Sequence, residues 1–190
     1  FIYVPDKGLD CIFIFQLQDG HLEHRFTVPT REGAGPRHIA FHATAPYAYV
    51  INELDCTVTA YKHSFETGEL TQIQTILALP DHYTGNGRGA EIALTPDGTA
   101  VITSLRGADF LSILAVDEKT GKLGHPQSTS SGGQTPRFFS IVPSASTVLV
   151  AHESSDTIGR IAFNTQGLDA AGVQNCIQVA SPSCIVLIRV

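Results

Sequence analysis

Arg37-His-Ile-Ala-Phe-His42 is a short apolar strand, Ala43-Thr-Ala-Pro46 a reversal, and Tyr47-Ala-Tyr-Val-Ile51 a second strand. Proline presets φ, glycine allows positive φ, and Asp and Ser bond to nearby backbone, so such clusters turn the chain. The same order recurs downstream. Ala90-Glu-Ile-Ala-Leu-Thr95, Arg137-Phe-Phe-Ser-Ile-Val142 and Cys184-Ile-Val-Leu-Ile-Arg189 begin 53, 47 and 47 residues after one another, counted from Arg37. The turns Thr95-Pro-Asp-Gly98 and Pro143-Ser-Ala-Ser146 lead to second strands at residues 100–103 and 147–151. Third strands follow Asp55, Asp109 and Asp156. The polar turns Thr67-Gly-Glu-Leu70, Thr120-Gly-Lys-Leu123 and Gln166-Gly-Leu168 precede a weaker fourth strand, such as residues 71–77.

A period of about 45 residues with four strands per unit is the signature of a β-propeller blade. Short apolar stretches suit strands buried on both faces, here between neighbouring blades. No helical pattern interrupts them, which counts against βαβ units. A β-sandwich would not repeat strand types in fixed order. The expected fold is all-β, a propeller of four-stranded antiparallel blades. Residues 37–80, 90–131 and 137–180 are full blades, and residues 1–28 a partial blade lacking its inner strand. Residues 184–190 are a lone first strand, suited to close the ring on the blade at Phe1.

Composition narrows the function classes. Hydrophobic residues make up 43% of the 190 and charged residues 16%, which excludes bulk disorder. A net charge of −6 is the wrong sign for a general nucleic-acid binder. No apolar run approaches the roughly 20 residues of a membrane-spanning helix, so no membrane partner is expected. Phe1-Ile-Tyr-Val4 reads as strand rather than signal peptide, and the chain has no Met, as a processed chain or a piece of one would. Cys11, Cys56, Cys176 and Cys184 show no metal-ligand spacing and read as small buried hydrophobes, with a Cys176–Cys184 bond left open.

Chemistry concentrates at one end of each blade. Reversals near residues 45, 98 and 145 set Arg37 opposite Glu53, Ala90 opposite Arg106 with Glu91 beside it, and Arg137 opposite Glu153, 16 residues apart each time. Opposed side chains lie about 5 Å apart. A charged pair is therefore expected at the same end of each blade, around one mouth of the central channel. A single such pair is an ordinary cross-strand bridge. Three together suit an anionic substrate and a reaction needing a base. Arg88, in the Gly-rich loop of residues 81–89, falls in the same layer, and His38 and His152 adjoin it. His38 and His42 would stand about 13 Å apart on a strand and could not share a metal. His21, His24, His63 and His125 sit in polar turns and are expected in solvent. There is no G-x-S-x-G, nucleotide glycine loop or H-E-x-x-H.

Gly35-Pro-Arg-His-Ile-Ala-Phe-His42, Tyr49-Val-Ile-Asn-Glu-Leu54, Arg88-Gly-Ala-Glu-Ile92, Thr95-Pro-Asp-Gly98 and Thr135-Pro-Arg-Phe-Phe139 together resemble the lactonase family of seven-bladed propellers. That family includes propeller-type 6-phosphogluconolactonases and the fungal carboxy-cis,cis-muconate cyclase. The resemblance runs through residues 1–190 and implies the C-terminal half of a seven-bladed ring. It implies hydrolysis of a small anionic lactone, 6-phosphogluconolactone first, by a cytoplasmic enzyme of the pentose phosphate pathway with no cofactor or metal. The family's proposed catalytic Arg, Glu and Arg fall on Arg37, Glu53 and Arg137, and its His falls before Phe1. Glu53 or that His would serve as general base, while Arg37 and Arg137 hold an oxyanion or phosphate. His38, Arg88, Glu91, Arg106, His152 and Glu153 would contact substrate. Two other readings stand beside this one: lactone formation by the same residues, and a non-catalytic binding propeller. Against the last, the chain has no Trp and only five Tyr. Half a ring would expose two blade faces, expected to carry Ile12, Ile14, Val148 and Ile161, and to self-associate through them.

Overall fold

A computed structural model of the chain describes residues 1–142, 145–164, 167–169 and 173–188, and the backbone alone at residues 175 and 176. Every regular element among the described residues is a β-strand. The first sheet holds β1 (Ile2–Asp6), β2 (Cys11–Gln18) and β3 (His21–Pro29). The second holds β4 (Pro36–Phe41), β5 (Tyr47–Asn52), β6 (Thr57–His63) and β7 (Leu70–Leu77). The third holds β8 (Arg88–Leu94), β9 (Ala100–Arg106), β10 (Phe110–Ala115) and β11 (Gln127–Ser130). The fourth holds β12 (Pro136–Val142), β13 (Thr147–His152) and β14 (Thr157–Asn164), with the short β15 (Gly167–Leu168) and β16 (Gln174–Gln178) both on β14. Within each sheet every strand pairs antiparallel with the one before it, except that β16 skips back to β14. This is part of a seven-bladed propeller.

The middle strands explain the stacking. β5 reads Tyr-Ala-Tyr-Val-Ile-Asn and is buried throughout. A strand points alternate residues to opposite faces. Ala48 and Val50 thus join Ile12, Ile14, Tyr61 and Leu70 against the first blade. Tyr49 and Ile51 join Ile92, Val101, Leu105 and Leu114 against the third. Ile102, Leu111 and Ile113 meet Phe139, Val148, Val150 and Ile161 between the third and fourth. Burying each large aliphatic side chain contributes about 1.5–3 kcal/mol, so each blade is held mainly by its neighbours.

Two repeated hydrogen-bonded devices set the angle between blades. The carboxylates of Asp10, Asp109 and Asp156, each at positive φ, accept the N–H of Gly35, Thr135 and Ser181. Those three residues also sit at positive φ and each precedes a proline, and Pro36 and Pro136 open the inner strands β4 and β12. Cys56 takes the same left-handed position in the second blade. The tyrosines form the other device. The Tyr3 hydroxyl donates to the Gly68 carbonyl at 2.7 Å, and the Tyr47 hydroxyl to Lys119 at 2.9 Å, so each ties its blade to a Thr-Gly turn of the next. Gly121 lies at φ +69°, and a Cβ there would fall 2.3 Å from the Tyr47 ring, so turn and packing both demand glycine.

Four expectations change. Residues 184–188 form no strand and pair with no strand among the described residues, while Arg189 and Val190 lie outside them. Ser181-Pro182 is hooked to Asp156 as its counterparts are, and Val186 and Ile188 are 78% and 80% exposed. Ile12, Ile14, Val148 and Ile161 are fully buried, because they point at neighbouring blades within the chain. The open face of the first blade instead carries Ile2 opposite Phe15 and Val4 opposite Phe13. His63 is not in a solvated turn: it ends β6, bonded to the Tyr3 hydroxyl and packed by Phe41 and Phe65. Cys11 and Cys56 are buried thiols, but Cys184 is exposed. The Cys176 side chain, Pro143 and Ser144 of the last reversal, and Gln166 lie outside the described residues.

Candidate active site

All three complete inner strands carry a β-bulge at the same end. The register slips between Pro36 and His38, between Gly89 and Ile92, and between Pro136 and Phe138. A bulge frees backbone groups from the ladder and re-aims side chains. Freed groups in a buried place need new partners. In β8 the Glu91 N–H donates to Ser104 Oγ at 3.1 Å, and the Ile92 N–H to Glu91's own Oε1 at 2.9 Å. The Gly89 carbonyl accepts from Arg106 Nη2 at 3.0 Å and the Ala90 carbonyl from Arg37 Nη1. The arginines are thus seated on the bulged backbone of the third blade.

Their other partner is Glu53. Its backbone N–H donates to the Gly35 carbonyl and its carbonyl accepts from Gly89, fixing it between two inner strands. Oε2 lies 3.3 Å from Arg37 Nε and 3.2 Å from Arg106 Nη2. Oε1 lies 3.3 Å from Lys7 Nζ and 3.6 Å from Arg88 Nη1. Four cations from three blades therefore share one carboxylate whose side chain is 8% exposed. Burial pushes the carboxyl's pKa up, but Arg106, Lys7 and Arg37 outweigh it and hold it below the ordinary range. Burial, with Arg106 next, draws the Arg37 guanidinium down, opposed by Glu53 and Glu91. Lys7 and Arg106's attachment to Glu53 were not foreseen, because neither follows from pairing within a blade.

The expected pairing holds in two blades and fails in the third. Arg37 meets Glu53, and Arg137 Nη1 meets Glu153 Oε2 at 3.2 Å. Ala90 does not face Arg106. Arg88 does. The register matches the other blades, Gly89 lying opposite Leu105 as Pro36 lies opposite Asn52, but Ala90 has no charge to offer Arg106. The third blade is the charge inverse of the second, with Arg106 in the place of Glu53 and Glu91 in the place of His38. Its charges pair across the blade boundary: Arg106 with Glu53, and Glu91 Oε1 with His38 Nδ1 at 2.9 Å. Arg137 stands close enough to act electrostatically on Arg37. His152 is not brought to this cluster. It is fully buried, bonded to the Ser131 carbonyl and Thr157, with Gly133 against its ring. His42 caps its own turn, its Nδ1 accepting from the N–H groups of Thr44 and Ala45. A cavity of about 550 Å³ lies at the other strand ends beside Thr95, Asp97 and Gln127, away from the arginines.

Fold and site define propeller blades whose strand ends gather arginines around a shielded carboxylate. The chain belongs to the lactonase family of seven-bladed β-propellers, whose pattern matches residues 1–187. It is 30% identical over 185 residues to a 6-phosphogluconolactonase of Bacillus subtilis, covering 97% of this chain and 53% of that protein. It is 38% identical over 165 residues to a 6-phosphogluconolactonase of Serratia proteamaculans, covering 83% and 48%. A periplasmic gluconolactonase of Pseudomonas aeruginosa matches in structure with a TM-score of 0.85 and 31% identity, covering 96% and 52%. The chain spans about half the length of the curated relatives it matches.

Proposed function

We propose that the protein, at the full length of its family, hydrolyses a sugar lactone carrying negative charge, with 6-phosphogluconolactone as the leading substrate. The observation that carries this reading is the imbalance at these strand ends: Lys7, Arg37, Arg88, Arg106 and Arg137 against Glu53, Glu91 and Glu153. A surplus of guanidinium groups suits a phosphate and the oxyanion formed when water adds to a lactone carbonyl. Arg106 is the most buried anchor; Arg37 keeps part of its side chain open, and Arg88, Lys7 and Arg137 are more exposed, so these four can reach a ligand. Glu53, with both oxygens taken by cations, orients the arginines rather than accepting a proton. The two relatives named 6-phosphogluconolactonase support the phosphorylated substrate. Sugar phosphates are held inside cells, so a cytoplasmic setting belongs to the same proposal.

The test compares 6-phosphogluconolactone with gluconolactone, each measured by proton release against its spontaneous hydrolysis. Faster turnover of the phosphorylated lactone is expected. Equal rates overturn the phosphate assignment, and no excess over the spontaneous rate removes the lactonase reading. For the 190-residue chain alone, the open face with Ile2, Val4, Phe13 and Phe15 leads us to expect self-association, read by light scattering at rising concentration. A monomer at all concentrations would refute that.

A further inference from the structure

Lactone hydrolysis needs a group that takes a proton from the attacking water. Glu53 is held by Lys7, Arg37, Arg88 and Arg106 and cannot easily accept one. His38 is differently placed. Its Nδ1 lies 2.9 Å from Glu91 Oε1. A carboxylate oxygen only accepts, so Nδ1 carries the proton and Nε2 keeps its lone pair. The imidazole is 40% exposed, beside Arg37. Arg37 Nη1 lies 3.2 Å from both ring nitrogens. In the ring plane, a nitrogen equally near both would collide with Cε1, so Nη1 lies over the ring face and leaves the Nε2 lone pair free.

Glu91 is held for this purpose from three sides. It is nearly buried, its Oε1 also accepts the Ile92 N–H, and its own N–H is tied to Ser104. The two bulges make the arrangement. The one in β4 brings His38 alongside Arg37, and the one in β8 turns Glu91 across the blade boundary. The charged groups facing His38 are Arg37 on its own strand and Glu91 on β8, with Glu53 and Arg106 beyond Arg37.

We propose that His38 is the general base of the reaction and Glu91 the positioning residue that fixes its tautomer and ring orientation, an assignment that rests on the lactonase reading. Nε2 takes one proton from water as the water oxygen bonds to the lactone carbonyl carbon. The carbonyl oxygen becomes an oxyanion facing the arginines, and Glu91 balances the new imidazolium charge. When the ring C–O bond breaks, the imidazolium returns its proton to the leaving ring oxygen. One water is consumed, one hydroxy acid is formed, and His38 is neutral again.

The test measures kcat, KM and their pH dependence on 6-phosphogluconolactone in the full-length protein. His38→Gln should lower kcat about 10²–10⁴-fold with little change in KM, and remove the acid limb of the pH profile. Glu91→Gln should cost about ten- to a hundredfold in kcat, the size of one charge-assisted hydrogen bond, with partial recovery in Glu91→Asp. His38→Ala should regain activity with added imidazole, which a purely structural role would not produce. Wild-type kcat and pH profile in His38→Gln, beside an active parent, overturn the dyad and leave the lactonase reading standing. An unrescued His38→Ala that remains folded by circular dichroism counts against it equally. A parent with no excess hydrolysis overturns both.

Discussion

Glu53 and Glu153 stand at the same place in two blades, each joined by a 16-residue spacing to an arginine that follows a proline. Each gives its backbone N–H to the carbonyl two residues before that arginine. Locally the two are copies. Yet Glu53 is 8% exposed among four cations, whereas Glu153 is 31% exposed and meets Arg137 alone among the described residues. The difference comes from the flanks. Lys7 arrives from the first blade and Arg88 and Arg106 from the third. Within this chain one motif thus makes a shared electrostatic hub at Glu53, which blades flank on both sides, and a single bridge at Glu153, which the described residues flank on one side only.

The comparison can be broken experimentally, and the largest effect should appear in turnover. Arg37→Ala and Arg137→Ala should each lower kcat by about 10²–10³, through loss of a charge-assisted contact to the oxyanion or phosphate. Only Arg37→Ala should also lower the unfolding midpoint, because it uncovers the Ala90 carbonyl and unbalances Glu53. Equal stability losses would show that the two sites are alike after all. Next comes the carboxylate. Glu53→Gln leaves Arg37 and Arg106 partly buried without a counter-charge and should cost about 3 kcal/mol in urea unfolding. Glu153→Gln should cost at most about 1 kcal/mol. A double-mutant cycle sharpens the contrast further, with a coupling of about 2 kcal/mol expected for Glu53–Arg106 and under about 1 kcal/mol for Arg137–Glu153.

The smallest effects are pH-dependent. The Glu53 carboxyl is held low in the folded protein, so the unfolded chain takes up its proton first as pH falls. The stability it contributes is complete above the ordinary Glu value of about 4.3 and is lost as pH drops through the folded value. Melting curves from neutral to acid should therefore fall less steeply in Glu53→Gln than in the parent, and parallel curves would count against the hub. His152 gives a second case. Burial lowers its pKa, outweighing the Ser131 contact, so the folded state favours the neutral ring. Its contribution is complete above about pH 6.5 and declines as pH falls toward the folded value. Asn52 fills the same register position in the second blade, opposite Pro36 as His152 is opposite Pro136. His152→Asn should keep the blade and remove that acid sensitivity.

The blades were legible because their information is local. Alternating apolar residues and Gly, Pro and Asp turns act within a few positions, and β5, β9 and β13 lie where the repeat set them. The spacing of 16 also located Arg37 with Glu53 and Arg137 with Glu153. It failed at Ala90 and Arg106, where the inner-strand position is an uncharged alanine and the opposite charge, Glu53, lies on another blade. His152 looked like a site residue from its neighbour Glu153, but strand alternation turns it into the interior. Residues 184–188 carry strand composition without a partner strand among the described residues, and composition alone forms no ladder.

Sequence alone determined the strand repeat, the propeller class and the arginine–glutamate layer at one end, since each depends on residue type and on short, fixed separations. Tertiary structure alone decided that Lys7, Arg88 and Arg106 join Arg37 at Glu53 and that Glu91 reaches His38. Those contacts join residues 46 to 53 positions apart, or cross a blade boundary, and three register slips aim them. A one-residue slip changes which side chains meet, and its position is set by backbone packing between blades, which no residue-by-residue pattern records.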